Sequence, residues 1–358
     1  MIRGHGGNIY DLARNIGCTP TDITDMSNNT NPLGPIPELL EHLKENMSAV
    51  AVHPEVDAKR LVELFASHYR IGADRAIAGN GTTQFIFASP LALETKKSLI
   101  VGPTYADYSD ACQMYKIDCE YVMAKESKLF QPDVEDIRGC LKDMDTVFIC
   151  NPNNPTGNLI PRGDLVDLCE TYPKTRFLID ESYLPFTKNY HETTMIQAGL
   201  SNLVVLQSFS KVFRIPGLRL GFLIASPKII GQFRYFYQPW SVNSLAQVAG
   251  IFLLEHVLVD DTFIKETQAF IASEKRLLAG RLKAVSSLTL FPSMASFMLI
   301  KIKEHLNAAQ LCSIMAQNRV LLRNCSNFKG LSDRFVRIAL KSPEINARVA
   351  DTFREIFA

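Results

Sequence analysis

The side chains best suited to chemistry lie in the segment Ser208-Phe-Ser-Lys-Val-Phe-Arg-Ile-Pro-Gly-Leu-Arg-Leu-Gly221. A lysine just after a strand-like apolar run, with Ser, Phe and Val around it, could form a Schiff base with an aldehyde cofactor. Ser208, Ser210 and Arg219 supply the hydrogen-bond donors that a phosphate group needs. A lysine taken alone is more often a solvated residue near a turn, so a cofactor site at Lys211 depends on the other segments.

A carboxylate follows the preceding strand-like run, because Phe177–Ile179 continues into Asp180-Glu-Ser-Tyr183. A carboxylate in this place can pair with the ring nitrogen of such a cofactor and make the ring an electron sink. Tyr183 could donate a hydrogen bond to a phenolic oxygen of the ring. An isolated aspartate more commonly caps the next element, but the position ahead of Lys211 favours the cofactor role.

Two loops and one aromatic residue add candidate contacts. Asn151-Pro-Asn-Asn-Pro-Thr-Gly157 is, by itself, typical of a turn. Gly79-Asn-Gly-Thr-Thr-Gln84 precedes an apolar helix pattern, where glycines permit close backbone approach and a helix N-terminus binds phosphate. Gln84 replaces the third glycine of a dinucleotide fingerprint, which disfavours a nicotinamide site. Tyr105 follows another apolar run and could stack on a ring, although alone it would more commonly be a packing residue.

Strands covered on both faces must position these residues. Near-continuous apolar runs occur at Ser98–Val101, Thr146–Cys150, Phe177–Ile179, Leu203–Leu206 and Leu220–Ala225. Such runs are typical of a parallel sheet, and the helical periodicity between them, as in Pro161–Thr171, predicts an α/β domain. Ligands bind outside the carboxyl ends of parallel strands. The polar clusters at three consecutive strand ends therefore predict one shared site.

The pattern changes along the chain in a way that predicts three parts. After about Ala246 a long helical region extends to roughly Val285, and mixed strands and helices follow to Ala358. The first 40 residues contain several prolines and are expected to form an extended arm joined to the C-terminal part. We predict an arm at 1–40, a large α/β domain at 41–245 and a smaller α+β domain at 246–358.

The composition disfavours two kinds of partner. The 38 basic and 37 acidic residues give a net charge of +1, which is no reason to expect nucleic acid or an anionic membrane. The start of the chain lacks the apolar core of a signal peptide. Ser244–Val259 contains Gln247, Glu255 and His256, so a buried helix is predicted rather than a membrane span. Eight cysteines without a C-x-x-C pair fit neither a zinc site nor a disulfide framework and indicate a cytoplasmic protein.

Taken together, the segments resemble the class I and II aminotransferases, a family of fold-type I enzymes that use pyridoxal 5'-phosphate (PLP). The resemblance extends along essentially the whole chain. It implies a mostly parallel central sheet in a large PLP-binding domain, a smaller α+β C-terminal domain and a homodimer. It also implies that PLP is the cofactor.

The resemblance assigns a role in cofactor binding to individual positions. Lys211 would be the Schiff-base lysine, Asp180 the partner of the ring nitrogen, and Tyr105 the residue stacked on the ring. Asn154 and Tyr183 would contact the phenolic oxygen. The phosphate contacts would be Asn80, Gly81, Thr82, Ser208, Ser210 and Arg219. Relatives have Tyr-Pro where this chain has His53-Pro54; that tyrosine reaches the PLP phosphate of the neighbouring subunit, so His53 is a candidate for the same contact.

Further strings narrow the substrate class. They are His5-Gly-Gly-Asn8, Ser27-Asn-Asn-Thr-Asn-Pro-Leu-Gly34, Pro239-Trp-Ser-Val-Asn243, Arg323-Asn-Cys-Ser-Asn327 and Arg337-Ile-Ala339. This set resembles the threonine-phosphate decarboxylases of cobalamin biosynthesis more than the related histidinol-phosphate aminotransferases. The substrate contacts that the resemblance implies are His5, Gly6, Asn29, Asn154, Arg323 and Arg337.

Simpler interpretations of these residues exist. A His-Gly-Gly start is usually a frayed terminus, and an arginine is usually a surface charge. Arg323 and Arg337, however, both follow strand-like apolar residues, and a charge in such surroundings needs an anionic partner. A small phosphorylated amino acid would supply one. The sequence leaves decarboxylation and transamination open, and also the choice between phosphothreonine and phosphoserine.

Overall fold

The apolar runs of the sequence form the centre of a seven-stranded sheet in the computed structural model, which describes residues 6–358. In chain order the strands are β1 (Thr24–Asp25), β2 (Ala76–Asn80), β3 (Lys97–Gly102), β4 (Asp118–Met123), β5 (Thr146–Cys150), β6 (Arg176–Asp180), β7 (Leu203–Ser208), β8 (Leu220–Ala225), β9 (Leu288–Leu290), β10 (Phe297–Ile302), β11 (Val320–Leu321), β12 (Arg323–Asn324) and β13 (Phe335–Ala339).

Helices cover the sheet and form much of the C-terminal part. They are α1 (Ile9–Ile16), α2 (Pro37–Glu45), α3 (Lys59–His68), α4 (Gly81–Ala92), α5 (Asp107–Met114), α6 (Val134–Cys140), α7 (Arg162–Thr171), α8 (Tyr190–Thr193), α9 (Phe209–Val212), α10 (Pro227–Tyr235), α11 (Ser244–Phe252), α12 (Thr262–Lys283), α13 (Ala308–Gln317) and α14 (Pro343–Ile356). Short 3₁₀ turns lie at Pro20–Asp22, Met47–Ala51, Ala73–Arg75, Glu126–Lys128 and Leu184–Phe186.

The large sheet has the strand order β2-β8-β7-β6-β5-β3-β4 and is mostly parallel, which confirms the predicted fold class. Strand β8 is the exception, because it runs antiparallel to both β7 and β2. The prediction missed β2 and β4. Strand β4 lies at the edge of the sheet and alternates exposed and partly buried residues, so its sequence lacks the continuous apolar run of a central strand.

Alternating residues of the central strands belong to two separate cores. Phe148, Leu178 and Val204 pack on one face of the sheet, whereas their neighbours Val147 and Ile179 pack on the other. Each such side chain contributes about 1.5–3 kcal/mol when it is removed from water. Because both faces are buried, β5, β6 and β7 cannot shift without losing core contacts, and the residues at their carboxyl ends are held in place.

The C-terminal part has its own antiparallel sheet, in the order β12-β13-β10-β9. The predicted helical region from 246 to 285 is interrupted. Helix α11 ends at Phe252, a π-helical turn follows at Leu253–Val257, and α12 begins only at Thr262. Asp261 before α12 has the left-handed φ of 57°, a conformation that a continuous right-handed helix does not contain.

The described part of the N-terminal arm is not wholly extended, contrary to expectation. Asn8 caps α1 through its side chain, and the helix ends at Gly17 with a left-handed φ of 71°. Strand β1 then pairs in parallel with β11 of the C-terminal part. The boundaries of the three predicted parts stay a prediction. Among residues 6–358, none of the helices combines the length and the apolar character that crossing a membrane requires.

Asn31 joins the arm to two other elements, and its loss should destabilise the fold. Its side-chain amide donates to Val212 O at 2.8 Å and to Thr267 Oγ1 at 2.9 Å. Asn31→Ala leaves these buried groups without that donor, so the free energy of unfolding in urea should fall by about 2–4 kcal/mol. Asn318→Ala, at an exposed helix end, is the control and should change it by less than about 0.5 kcal/mol. Equal effects of the two substitutions would contradict this account.

Candidate active site

Lys211 lies in the single helical turn α9, directly after β7. The residue is partly buried, and its side chain lines a pocket. This burial, together with the positive charges of Arg219 and Arg337, lowers the pKa of Lys211 to about 8. A lysine with this pKa is partly neutral near physiological pH, which is the form that attacks a carbonyl carbon.

Asp180 ends β6 and is held by hydrogen bonds on both carboxylate oxygens. Tyr108 Oη donates to Oδ2 at 2.9 Å, and the Ser182 backbone N–H donates to Oδ1 at 3.0 Å. Burial raises the pKa of Asp180, while Ser182, Tyr108 and the charge of Lys211 oppose that rise. The hydrogen bonds fix the direction of the carboxylate, which points into the same pocket as Lys211.

At a second side of the pocket, the start of α4 packs closely against the segment that contains Arg219 and Gly221. Gly81 begins α4 with a φ of +71°, and a Cβ there would lie 2.5 Å from Arg219 Nη2. A Cβ on Gly221 would lie 2.6 Å from the backbone N of Thr82. The Ser210 hydroxyl is 3.2 Å from the backbone N and O of Leu220. The N-terminus of a 12-residue helix, an arginine and two glycines thus form a cradle suited to a phosphate group.

Two arginines on neighbouring strands form the opposite side. Arg323 of β12 and Arg337 of β13 are register partners. Burial lowers the pKa of both guanidinium groups, that of Arg323 to about 10. Arg337, only 4% exposed, donates to Asn154 Oδ1 and to the backbone carbonyl of Ser27. Arg323 donates to Asn327 Oδ1 at 2.8 Å and packs on a phenylalanine ring. Neutral amide and carbonyl oxygens accept hydrogen bonds from part of each guanidinium group. Because these oxygens do not balance the positive charges, an anion can still bind there.

The N-terminal loop closes one edge of the pocket. Asp25 Oδ1 accepts hydrogen bonds from the Ser27 hydroxyl at 2.6 Å and from the Asn28 backbone at 3.2 Å. Asn29 Nδ2 lies 3.5 Å from Tyr183 Oη. Asn29 Oδ1 and Arg337 Nε are buried and find no hydrogen-bond partner among the described residues. Buried polar atoms of this kind normally have a partner, so a bound ligand is expected to supply it.

Most of the residues predicted from sequence line this one pocket. They are Gly6, Asn29, Gly81, Thr82, Tyr105, Asn154, Asp180, Tyr183, Ser208, Ser210, Lys211, Arg219, Arg323 and Arg337. Within the described part of the chain, Asn80 and His53 do not line it. Asn80 is exposed and precedes α4, and the ring of His53 packs against Trp240 at 5.2 Å. His5 lies outside the described residues.

Sequence reasoning missed several residues that shape the pocket. Tyr108 and Ser182 hold Asp180, Asp25 holds the N-terminal loop, and Lys341 Nζ donates to Asn28 O at 3.3 Å. The position of Tyr108, three residues after Tyr105 in the segment that follows β3, was a usable signal. No sequence pattern indicated that Asp25 and Lys341 would meet the same loop.

A comparison with known protein families accounts for this arrangement of residues. The model described as aminotransferase class I and II matches residues 21–353. The chain belongs to the class I and II aminotransferase family. The cofactor of the family is PLP, and the pocket fits it: a lysine with a lowered pKa, a fixed carboxylate and a phosphate cradle lie around one cavity.

Individual relatives are similar over the whole chain. A threonine-phosphate decarboxylase of Salmonella typhimurium is 31% identical, with 98% of this chain and 96% of that protein covered. The adenosylcobalamin biosynthesis bifunctional protein CobDQ of Leptospira interrogans is 34% identical over 99% of this chain. The chain spans only 41% of that longer protein.

Solved structures show the same likeness. L-threonine-O-3-phosphate decarboxylase from Porphyromonas gingivalis superposes with a TM-score of 0.84 at 29% identity, covering 93% of this chain and 99% of that chain. Histidinol-phosphate aminotransferase from Clostridium acetobutylicum superposes with a TM-score of 0.85 at 27% identity, again covering 93% and 99%. The backbone alone therefore does not separate these two members of the family.

The lowered pKa of Lys211 predicts how the PLP-free protein binds PLP as the pH changes. Only the neutral amine is nucleophilic, so the rate of covalent PLP binding should rise about tenfold per pH unit up to pH 8 and then level off. The measurement is the change in PLP absorbance at a fixed PLP concentration. A rate that keeps rising to pH 10 would indicate an ordinary lysine and contradict the assignment.

Lys275 offers a matched control for this experiment. Burial lowers its pKa to about 8 as well, and its amine donates to Ser293 O at 2.7 Å rather than facing the pocket. Lys275→Ala should therefore keep the pH profile, whereas Lys211→Ala should remove the absorbance change altogether.

Proposed function

We propose that this protein is a PLP-dependent decarboxylase of an O-phosphorylated amino acid, namely L-threonine phosphate or L-serine phosphate, in cobalamin biosynthesis. The observation that carries the proposal is the pair Arg323 and Arg337, a partly buried and a buried arginine side by side at one pocket. The names of the relatives in Salmonella typhimurium and Leptospira interrogans support the same reaction and pathway. A cytoplasmic location belongs to this proposal.

The charge of the pocket suits a phosphate better than a single carboxylate. One arginine is enough to hold the α-carboxylate of an amino acid, but a phosphate carries up to two negative charges and several acceptor oxygens. Each charge-assisted hydrogen bond contributes about 1.5–3 kcal/mol. Two adjacent guanidinium groups can therefore bind the phosphate and neutralise it, and they do not bind the carboxylate of the same substrate.

The position of the carboxylate then decides the reaction. When bound, PLP supplies an electron sink for the electron pair that remains on the substrate Cα after a bond is broken. The bond that breaks must stand perpendicular to the cofactor ring. With its phosphate held by Arg323 and Arg337, the substrate would keep its carboxylate free of these two arginines, so that the bond from Cα to the carboxylate could be the one that breaks and CO₂ could leave.

Other residues of the chain take the remaining tasks. Asp180 holds a proton at the ring nitrogen, and Tyr108 and Ser182 keep its carboxylate directed there. The Lys211 amine, with a pKa of about 8, would deliver a proton to Cα from its protonated form after CO₂ has left. The bond from Arg337 to Asn154 Oδ1 leaves the Asn154 amide N–H groups for the phenolic oxygen of PLP.

An aminotransferase, such as a histidinol-phosphate aminotransferase, is the alternative. The structure from Clostridium acetobutylicum favours it as much as the decarboxylase structure favours the first proposal. In that case Arg337 would bind the α-carboxylate and hold it in place, and the Cα–H bond would break instead. The two functions differ in which anion Arg337 binds.

A homodimer is also part of the proposal. Exposed apolar side chains cluster around the 3₁₀ turn Met47–Ala51 and include Val50, Val52 and Val56. Trp240, 51% exposed, adjoins them because its backbone N–H donates to Val56 O at 3.0 Å. Apolar surface of this kind is typical of an interface. His53 lies within the same region and would face the second subunit.

Product identity tests the reaction. The protein with PLP should convert phosphothreonine or phosphoserine to CO₂ and a phosphorylated amine, with histidinol phosphate as the comparison substrate. Arg323→Ala and Arg337→Ala should each lower kcat/KM by about 10–100-fold, the equivalent of one lost charge-assisted hydrogen bond. PLP should stay bound in both.

A surface arginine provides the control. Arg354 of α14 pairs with Asp351, at 3.5 Å, and Arg354→Ala should leave kcat/KM within about twofold because exposed ion pairs contribute little. If the unmodified protein instead converts PLP to its amine form and produces a keto acid stoichiometrically, the decarboxylase proposal is wrong and the aminotransferase alternative replaces it.

Sedimentation velocity tests the dimer. The protein should sediment as a dimer, and Trp240→Glu should shift it towards the monomer because a charge would be buried in the apolar interface. Leu277→Glu introduces the same charge at an exposed position of α12 and should leave the dimer intact. A fully active monomer would refute this part of the proposal.

A further inference from the structure

Two cysteines that lie apart from the pocket meet at the edge of the large sheet. Cys112 is in the last turn of α5 and Cys119 is the second residue of β4. The connection between them is short and tight, since the Ile117 backbone N–H donates to Cys112 O at 3.0 Å. The proposed reaction uses neither residue.

Both thiol groups contact the same hydroxyl. Ser98 Oγ lies 3.4 Å from Cys112 Sγ and 3.2 Å from Cys119 Sγ, and each thiol shifts the pKa of the other. A disulfide bond is about 2.05 Å long. Because both sulphur atoms lie against the same hydroxyl, a local movement of the chain would bring them to this distance.

One of the two thiols is also the more reactive. The hydrogen bond from Cys112, with help from Ser98 and the charge of Lys329, lowers the pKa of Cys119 to about 7. The same thiol pair raises the pKa of Cys112. Cys119 is partly exposed on the edge strand, whereas Cys112 is buried. Cys119 thus has the thiolate character and access of an attacking thiol, and Cys112 has the place of the resolving one.

We propose that Cys112 and Cys119 form a reversible disulfide when a hydroperoxide oxidises the protein, and that this bond weakens PLP binding. In the first step the Cys119 thiolate attacks the peroxide oxygen, the O–O bond breaks, and a sulfenic acid and one water or alcohol result. In the second step the Cys112 sulphur attacks the Cys119 sulphur, and water leaves as the S–S bond forms. A dithiol reductant restores both thiols.

The link to the cofactor runs through α5. Cys119 is held in the sheet as the register partner of Ser98, so the approach of the two sulphur atoms moves the helix rather than the strand. Tyr108 lies one turn before Cys112 on the same face of α5. Its hydroxyl donates to Asp180 at 2.9 Å. Movement of α5 lengthens this hydrogen bond and disturbs the carboxylate that faces the cofactor ring.

Peptide mapping and PLP titration test the proposal. Trypsin cleaves after Lys97, Lys116 and Lys125 and so places the two cysteines on separate peptides, 98–116 and 117–125. After treatment of the PLP-loaded protein with hydrogen peroxide and blocking of free thiols, mass spectrometry should find these peptides joined, and dithiothreitol should separate them. The dissociation constant for PLP of the oxidised protein should rise roughly tenfold, as expected for a weakened charge-assisted hydrogen bond.

Variants separate this effect from general oxidation. Cys119→Ser and Cys112→Ala should each prevent the joined peptide and keep PLP affinity constant under peroxide, and Cys140→Ser, at a half-buried position on another helix, should behave as the unmodified protein. Oxidation of Cys119 to the sulfinic acid without a joined peptide would overturn the proposal, as would a joined peptide with unchanged PLP affinity. Neither readout uses the substrate, so the result is independent of which reaction the enzyme performs.

Discussion

The buried charge of Arg337 is the constraint on which the site depends. A guanidinium group that is 4% exposed costs several kcal/mol of solvation unless oxygen atoms surround it. Its partners come from two other parts of the chain: Asn154 from the loop after β5, and Ser27 from the N-terminal loop. The C-terminal sheet, the large domain and the arm are thereby joined at one point. Arg337 Nε has no hydrogen-bond partner among the described residues, and the proposed substrate anion would complete the shell around this charge.

The opposite side of the pocket is fixed by the sheet. Because both faces of β5, β6 and β7 are buried in separate cores, the ends of these strands have little freedom to move. Burial at the strand ends raises the pKa of Asp180 and lowers the pKa of Lys211, so the two pKa values come closer together. The pKa of about 8 leaves part of the Lys211 amine neutral near physiological pH, as attack on a carbonyl carbon requires.

The sequence predicted what depends on local pattern. The continuous apolar runs predicted the central strands. Because ligands bind outside the carboxyl ends of parallel strands, the sequence also predicted that Lys211, Asp180 and Asn154 share one pocket, and all three line it. Strand β4 was missed because an edge strand alternates, and the break before α12 was missed because it depends on the left-handed Asp261. The contacts of Tyr108 and Lys341 depend on how separate elements pack, which no local pattern encodes. The contact proposed for His53 involves a second subunit, which no local pattern encodes either.

The central claim is that Arg323 and Arg337 bind the phosphate of the substrate and leave its carboxylate free. A crystal structure of the Lys211→Ala variant with PLP and O-phospho-L-threonine tests it most directly, because the substrate can bind without turnover. Our account predicts the phosphate within about 2.7–2.9 Å of both guanidinium groups, with the carboxylate out of the cofactor plane. A carboxylate bound to Arg337 in that plane, with the phosphate elsewhere, would contradict it.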